Sequence, residues 1–243
     1  MLDHPNLDIE PYLHLLDSLA EHLTVLGSEA NTAAARALVL ARVMAIEFGF
    51  SGDNEHYDDP DNADMIRVID RRRGLPVSLS ILYVAAARRA GWQVDALNTP
   101  GHVLTRIGPE IDSVLVDPFN GGRIVGAEQL TALLQGVLGP AAVPTVEQLT
   151  PMPNRAVLVR LLMNQASRAE LIGDTARALT VYERMTVIAP SHSHGWWERA
   201  RLQLQGGDVA GARSSLSAML EVTRDTTLRL HVCSALDALG RSQ

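Results

Sequence analysis

From Tyr12 onward, Leu15, Leu16, Leu19, Leu23 and Leu26 recur at the three- and four-residue steps of an amphipathic helix, and Gly27 ends the run. A second apolar stretch, TAAARALVLARVMAIEF, predicts another helix that stops near Gly49. The segment after it, GFSGDNEHYDDPDNAD, has no period and is dense in Gly, Asp and Asn, so it reads as a structured loop. MIRVIDRRRG then predicts a short helix, and SLSILYVAAARRAG a longer one with Gly91 as its C-cap. From Trp92 the period changes. WQVDAL, HVLTRI, SVLVD and GRIV are short, β-branched and broken by Pro, Gly and Asp, which predicts an antiparallel sheet over 92–126. GAEQLTALLQGVLG returns to helix, and PAAVPTVEQLTPMPN, with four prolines between 140 and 153, is the candidate linker. The pattern therefore predicts an α+β domain at 1–148, its helical part over 8–90, and a second, all-helical domain at 152–243.

The second domain repeats itself. Gly173-Asp174 recurs as Gly207-Asp208 at an interval of 34 residues, and Ala166/Ala200, Ala178/Ala212 and Met185/Met219 keep the same offset. A helix–turn–helix of that period with small residues in those columns resembles the tetratricopeptide repeat. Units at 159–192 and 193–226 follow, with a capping helix at 227–240. Tyr182 and Pro190 fit the pattern in the first unit and Trp196 in the second, whereas Leu216 and Arg224 depart from it.

Composition narrows the class. Of 243 residues 47% are hydrophobic, which is ample for a folded core. The net charge of −7 argues against a nucleic-acid partner, whose phosphates need a clustered basic surface. All 21 basic residues are arginine, so lysine Schiff-base chemistry is excluded. MLDHPNLDIEPYL lacks the basic and apolar regions of a signal peptide, and no apolar run reaches membrane-span length. Cys233, the single cysteine, is expected to be packed in the capping helix, and the expected home is a reducing cytoplasm.

The blocks FGFSGDNEHYDDPDNADMIRVIDRRRGLPVSLSILYVAAARRAGW, PGHVLTRI and VDPFNGG occur in an order that resembles the SirB-type bacterial branch of the transglutaminase-like superfamily, over residues 8–130. A related module occurs in some eukaryotic F-box proteins, and a tetratricopeptide tail is typical of the bacterial ones. The resemblance implies a papain-like α+β core. In active members a cysteine opens the helix, a histidine lies on the next strand and an aspartate on the strand after it. His102 and Asp117 match the last two. The cysteine of the family's Gly-x-Cys is replaced: Gly74 and Gly91 bracket the helix and Pro76 stands in the third position. Proline carries no nucleophile and suits a first helical turn, where its missing N–H has no partner anyway.

Each remaining candidate has two readings. Ser78 is either a replacement nucleophile or a first-turn residue bonding a free backbone N–H, and Ser80 lies deeper along the helix. His102 and Asp117 are either a polar tie within the sheet or, with Asn120 and Arg73, contacts for a ligand in the cleft. Asp117-Pro118 ends a strand and Gly121-Gly122 supplies a turn's positive φ. In GDNEHYDDPDN, Asp59 and Asn62 are expected to cap the following helix and Tyr57 to pack beneath the loop; the ligand spacing of a calcium-binding loop is missing. Arg71, Arg72 and Arg73 are either an anion clamp or a solvated face paired with Asp70, and His192 and His194 are a zinc pair or an inter-repeat turn. No cofactor or metal is expected.

Two functions compete. One is a non-catalytic scaffold that docks a protein or peptide in the repeat groove, with no nucleic-acid or membrane partner. The other is a hydrolase or acyltransferase that uses Ser78, or a water activated by His102 and Asp117.

Overall fold

In the computed structural model, which describes residues 3–241, the first leucine stripe forms α1 (Glu10–Leu26), with Leu19 and Leu23 buried. Met1, Leu2, Ser242 and Gln243 lie outside the described residues. Contacts divide the chain into two units, 1–153 and 154–243.

In the first unit α2 (Ala33–Ala41) starts at Thr32, whose hydroxyl accepts the Ala35 N–H. The sequence predicts one continuous α-helix here, but Arg42–Glu47 is a π-helical turn, in which Phe48 N–H reaches back five residues to Val43 O. The wider turn buries both Val43 and Met44 and leaves Phe48 edge-on to His22. A two-residue parallel pair that sequence alone did not predict follows, β1 (Ser51–Gly52) beside β2 (Arg73–Gly74). Between them lies α3 (Met65–Arg71), ended by Arg72 at φ 57°. That left-handed residue is held by its guanidinium over the Phe50 ring, 4.5 Å from the centroid.

α4 (Pro76–Arg89) is the core helix, with Val77, Leu79, Leu82, Tyr83, Ala86 and Ala87 all buried. Its C-cap is Ala90, one residue before the expected Gly91. Gly91 (φ 77°) bonds Arg88 O and Trp92 N–H bonds Ala87 O, the two bonds of a Schellman turn. β3 (Val94–Ala96), β4 (Thr105–Ile107), β5 (Val114–Asp117) and β6 (Arg123–Val125) then form an antiparallel meander in that order. The register pairs Val94 with Ile107 and Thr105 with Val116. α5 (Ala127–Leu138) packs Leu130 and Leu134 on Leu104. The proline-rich stretch is not a free tether: Met152 N–H bonds Ala96 O at 2.8 Å and Pro151 bridges Leu97.

The second unit is α6 (Asn154–Leu171), α7 (Thr175–Ile188), α8 (Ser193–Gln205), α9 (Val209–Val222) and α10 (Thr226–Arg241). One turn occurs twice. Gly173 (φ 77°) and Gly207 (φ 81°) bond Glu170 O and Leu204 O, each at 3.0 Å, while Asp174 N–H and Asp208 N–H bond Ala169 O and Gln203 O, each at 2.8 Å. Asp174 and Asp208 then cap α7 and α9. Ala166, Ala178 and Met185 are buried, as are their counterparts Ala200, Ala212 and Met219. Trp196 donates to Pro190 O at 2.8 Å and packs half-buried on the second cluster. Cys233 is exposed, contrary to expectation, because Val232, Leu228 and Leu236 take the inner face of α10.

Candidate functional site

The first turn of α4 holds the position where a family nucleophile would stand. Leu75 is the N-cap and Pro76 the first helical residue, so proline's missing N–H costs no bond. Residues 74 to 80 are all buried. Ser78 Oγ accepts the Leu75 N–H at 2.8 Å, the returning half of a capping box, and donates to Asn62 O at 3.0 Å. Gly74 makes this packing feasible, since a Cβ there would stand 2.6 Å from Ser78 Oγ. Ser80 donates to Val103 O at 3.2 Å and ties α4 to the segment beside His102.

His102 does not lie on a strand. It sits in the turn before β4, with its N–H on Thr99 O, because Gly101 at φ 66° and the preceding proline break the ladder. Asp117 is the last residue of β5, and its Oδ1 lies 2.8 Å from His102 Nε2. The same Oδ1 accepts Phe119 N–H at 3.0 Å and Asn120 N–H at 3.2 Å, and Oδ2 accepts Asn120 Nδ2–H at 2.7 Å. Burial alone would push this carboxyl's pKa up, but the His102 bond and charge and the Asn120 bonds outweigh it and hold the pKa below the ordinary aspartate value. Asp117 is thus a carboxylate, and His102 Nε2–H is the donor between them. Gly121 and Gly122, at φ 70° and 74°, turn the chain, and Gly122 N–H closes on Asp117 O. Pro118 and Phe119 are buried, and the Phe119 ring stands edge-on to His102 at 6.0 Å and to Tyr57 at 5.8 Å. Tyr57 is therefore a half-exposed neighbour of Phe119, not a residue beneath the loop.

The acidic loop closes on one cation. Arg71 Nη2 lies 3.1 Å from Asp53 and 3.2 Å from Asp59, and Nη1 is 3.7 Å from Asp61. Asp53 is buried, which raises its pKa, yet bonds from His56 N–H and Asn62 and the Arg71 charge bring it below the ordinary value. Asp59 caps the short 3-10 turn Pro60–Ala63, and Asp64 caps α3. Asn62 is no cap: it is fully buried and donates to His56 O at 2.7 Å. Among the described residues Asp70 accepts the Tyr12 hydroxyl and forms no ion pair with the arginines, although its charge is felt by Arg72. Arg73 is exposed and donates to Gly49 O and Arg72 O at 3.2 Å, which ties it to the β1–β2 edge.

One residue near this pair escaped sequence reasoning. Tyr83, two turns into α4, has a fully buried ring, and burial together with the Asp117 charge pushes its hydroxyl well above the usual phenol range. The signal was a polar atom within the otherwise apolar ILYVAAA. In the second unit His192 and His194 have ring centroids 6.2 Å apart, and among the described residues no group of three His, Cys, Asp or Glu side chains is placed to hold a metal ion.

A core helix that opens at Gly74-x-Pro76, an antiparallel meander and a His–Asp pair set in the turn before one strand and at the end of the next agree with a profile comparison, and the chain belongs to the transglutaminase-like superfamily, whose profile matches residues 10–163. Within it the chain is similar to bacterial UPF0162 proteins. It is 33% identical over 228 residues to one from Xylella fastidiosa (strain 9a5c), covering 92% of this chain and 81% of that protein. A UPF0162 protein from Pseudomonas aeruginosa is 28% identical, covering 94% of this chain and 83% of that one. F-box only protein 21 of Homo sapiens is 31% identical over 113 residues, which is 40% of this chain and 18% of that protein. No helix among the described residues is long and apolar enough to cross a membrane.

Proposed function

We propose that this chain is a non-catalytic member of its superfamily, of the SirB type, whose C-terminal helices act as tetratricopeptide-like repeats that bind a protein or peptide in the bacterial cytoplasm. One observation carries the first half: the α4 first turn offers an imino acid where a thiolate is needed, and the nearest hydroxyl, Ser78, is buried and spent on Leu75 and Asn62. A nucleophile must reach a carbonyl carbon, and a triad without one keeps little of its rate enhancement.

Two hollows on the helical unit support the second half. One, of about 400 Å³, is lined by Met163, Ser167, Glu170, Tyr182, His194 and Glu198. The other, of about 250 Å³, adjoins it at His194 and adds Trp197, Met219, Leu228 and His231. Apolar anchors beside charged rims suit a peptide side chain better than a metabolite enclosed on all sides.

The competing reading, a hydrolase or acyltransferase that uses Ser78 or a water on His102 and Asp117, requires Ser78 to leave its hydrogen bonds or a water to reach a half-buried ring. The test is intact-mass analysis after exposure to acyl-trapping electrophiles and a fluorophosphonate, together with titration of a co-purifying partner against native protein and Trp197→Glu. The expected result is no adduct at 74–80 and binding lost in the variant. A stoichiometric Ser78 adduct, with turnover abolished by Ser78→Ala, establishes the enzyme instead.

A further inference from the structure

Tyr83 Oη is buried and has no hydrogen-bond partner among the described residues. A phenol in that state is rare, because its lost hydration goes unreplaced. Close by is an acceptor with capacity to spare. Asp117 Oδ1 takes three donors, from His102, Phe119 and Asn120, whereas Oδ2 takes the Asn120 side chain alone. A carboxylate oxygen offers two lone pairs, so Oδ2 can accept once more.

The two groups are neighbours through one glycine. Gly122 N–H bonds Asp117 O at 2.8 Å, and a Cβ on Gly122 would come within 3.2 Å of Tyr83 Cε1 and 2.8 Å of Ala41 Cβ. The Gly122 backbone is therefore packed closely against both Ala41 and the edge of the Tyr83 ring. The hydroxyl also feels the carboxylate's charge, without a direct bond to it.

We propose that one buried water molecule is held between Tyr83 Oη and Asp117 Oδ2, accepting the phenol's proton and donating to the carboxylate. Only a neutral group that both donates and accepts satisfies the two sides. An anion is repelled by Asp117, a cation cannot accept from Tyr83, and an apolar occupant leaves both unpaired. Tyr83 is then a positioning residue: through the water it fixes the carboxylate that orients the His102 ring. The assignment is independent of whether the pair is catalytic.

The decisive measurements use the full chain. A high-resolution crystal structure should show one ordered water within about 2.6–3.2 Å of both oxygens. Y83F should raise the unfolding equilibrium constant about fivefold, the usual cost of one lost buried bond. It should also move the Asp117 carboxyl titration, followed by its ¹³C resonance, to higher pH, because one donor chain is gone. A dry hydroxyl predicts the reverse, since phenylalanine then removes an unsatisfied group and the variant is more stable. A stabilised Y83F, an unmoved Asp117 titration, an empty site or a direct Tyr83–Asp117 bond each overturns the assignment. Should Y83F fail to fold, the density in the native protein decides.

Discussion

Ser78→Ala separates the two functional readings most directly. Alanine keeps the helix propensity and the volume within one oxygen, so the change isolates the hydroxyl. The hydroxyl's bonds go: the one accepted from Leu75 N–H at 2.8 Å, and its donation shared between Asn62 O at 3.0 Å and Leu75 O at 3.1 Å. Loss of a helix N-terminal cap costs about 1 kcal/mol, and loss of a buried hydrogen bond about another. Asn62 O retains a longer bond from Leu75 N–H, at 3.4 Å, which tempers the second term. The expected destabilisation is therefore about 2 kcal/mol, or a Tm lower by about 4–8 °C for a chain of this size.

Two units can unfold separately, so the signal must come from the first. Trp92 is buried there, and W196F/W197F removes the other two tryptophans as reporters. Urea titrations followed by Trp92 fluorescence then give the stability of that unit. A loss of about 2 kcal/mol with unchanged m supports a structural Ser78. If stability stays within about 0.5 kcal/mol while a measurable acyl-transfer turnover disappears, the capping argument is wrong.

Further predictions concern the same turn and the repeat. Asp117 has a depressed native pKa, so its stabilisation is present above the unfolded value of about 4 and is lost as pH falls through the folded one. In D117N, urea midpoints should be lower at neutral pH, and the acid-side decline attributable to this group should vanish; an unchanged decline would falsify the assignment. Gly52→Ala places a Cβ 2.6 Å from Phe119 ring carbons, so that ring must move against His102. A loss of about 1–3 kcal/mol, with shifted His102 ring resonances, is expected, and a neutral variant would show that Phe119 can yield freely. D174A and D208A remove equivalent caps and should each cost about 1 kcal/mol by circular-dichroism melts; a cost confined to one would show that the two turns are not energetic equivalents.

Much of the architecture was readable because it is periodic or stereochemically local. Leucine spacing gave α1, the change of period at Trp92 gave the meander, and Gly74 and Gly91 bracketed α4. The repeated Gly-Asp turn could be read from its interval alone. What stayed hidden depends on residues meeting through space. A two-residue parallel pair such as β1–β2 has no period, and nothing in RVMAIE distinguishes a π turn from an α turn. Arg71 gathers Asp53, Asp59 and Asp61 from across the loop, whereas the run RRR pointed to its neighbour Asp70. His102 was expected on a strand because HVLTRI looks extended, but Gly101 delays the ladder until Thr105. Cys233 and Tyr57 were misplaced for a simpler reason: composition does not say which side of an element a residue faces.

Folding energetics alone can hold a His–Asp pair in place beside a proline. Asp117 is a buried carboxylate whose Oδ1 pins the amides of Phe119 and Asn120, so it builds the turn through Pro118 to Gly122. That turn in turn seats Phe119 against Gly52 and brings Gly122 onto Ala41 and Tyr83. Removing a nucleophile elsewhere relieves none of these demands, because a buried charge stripped of its donors costs several kcal/mol. His102 supplies one donor, and Ser80 anchors the adjoining carbonyl at Val103. The pair therefore needs no catalytic role to persist. Its geometry is what the β5 end and the first turns of α4 require in order to pack.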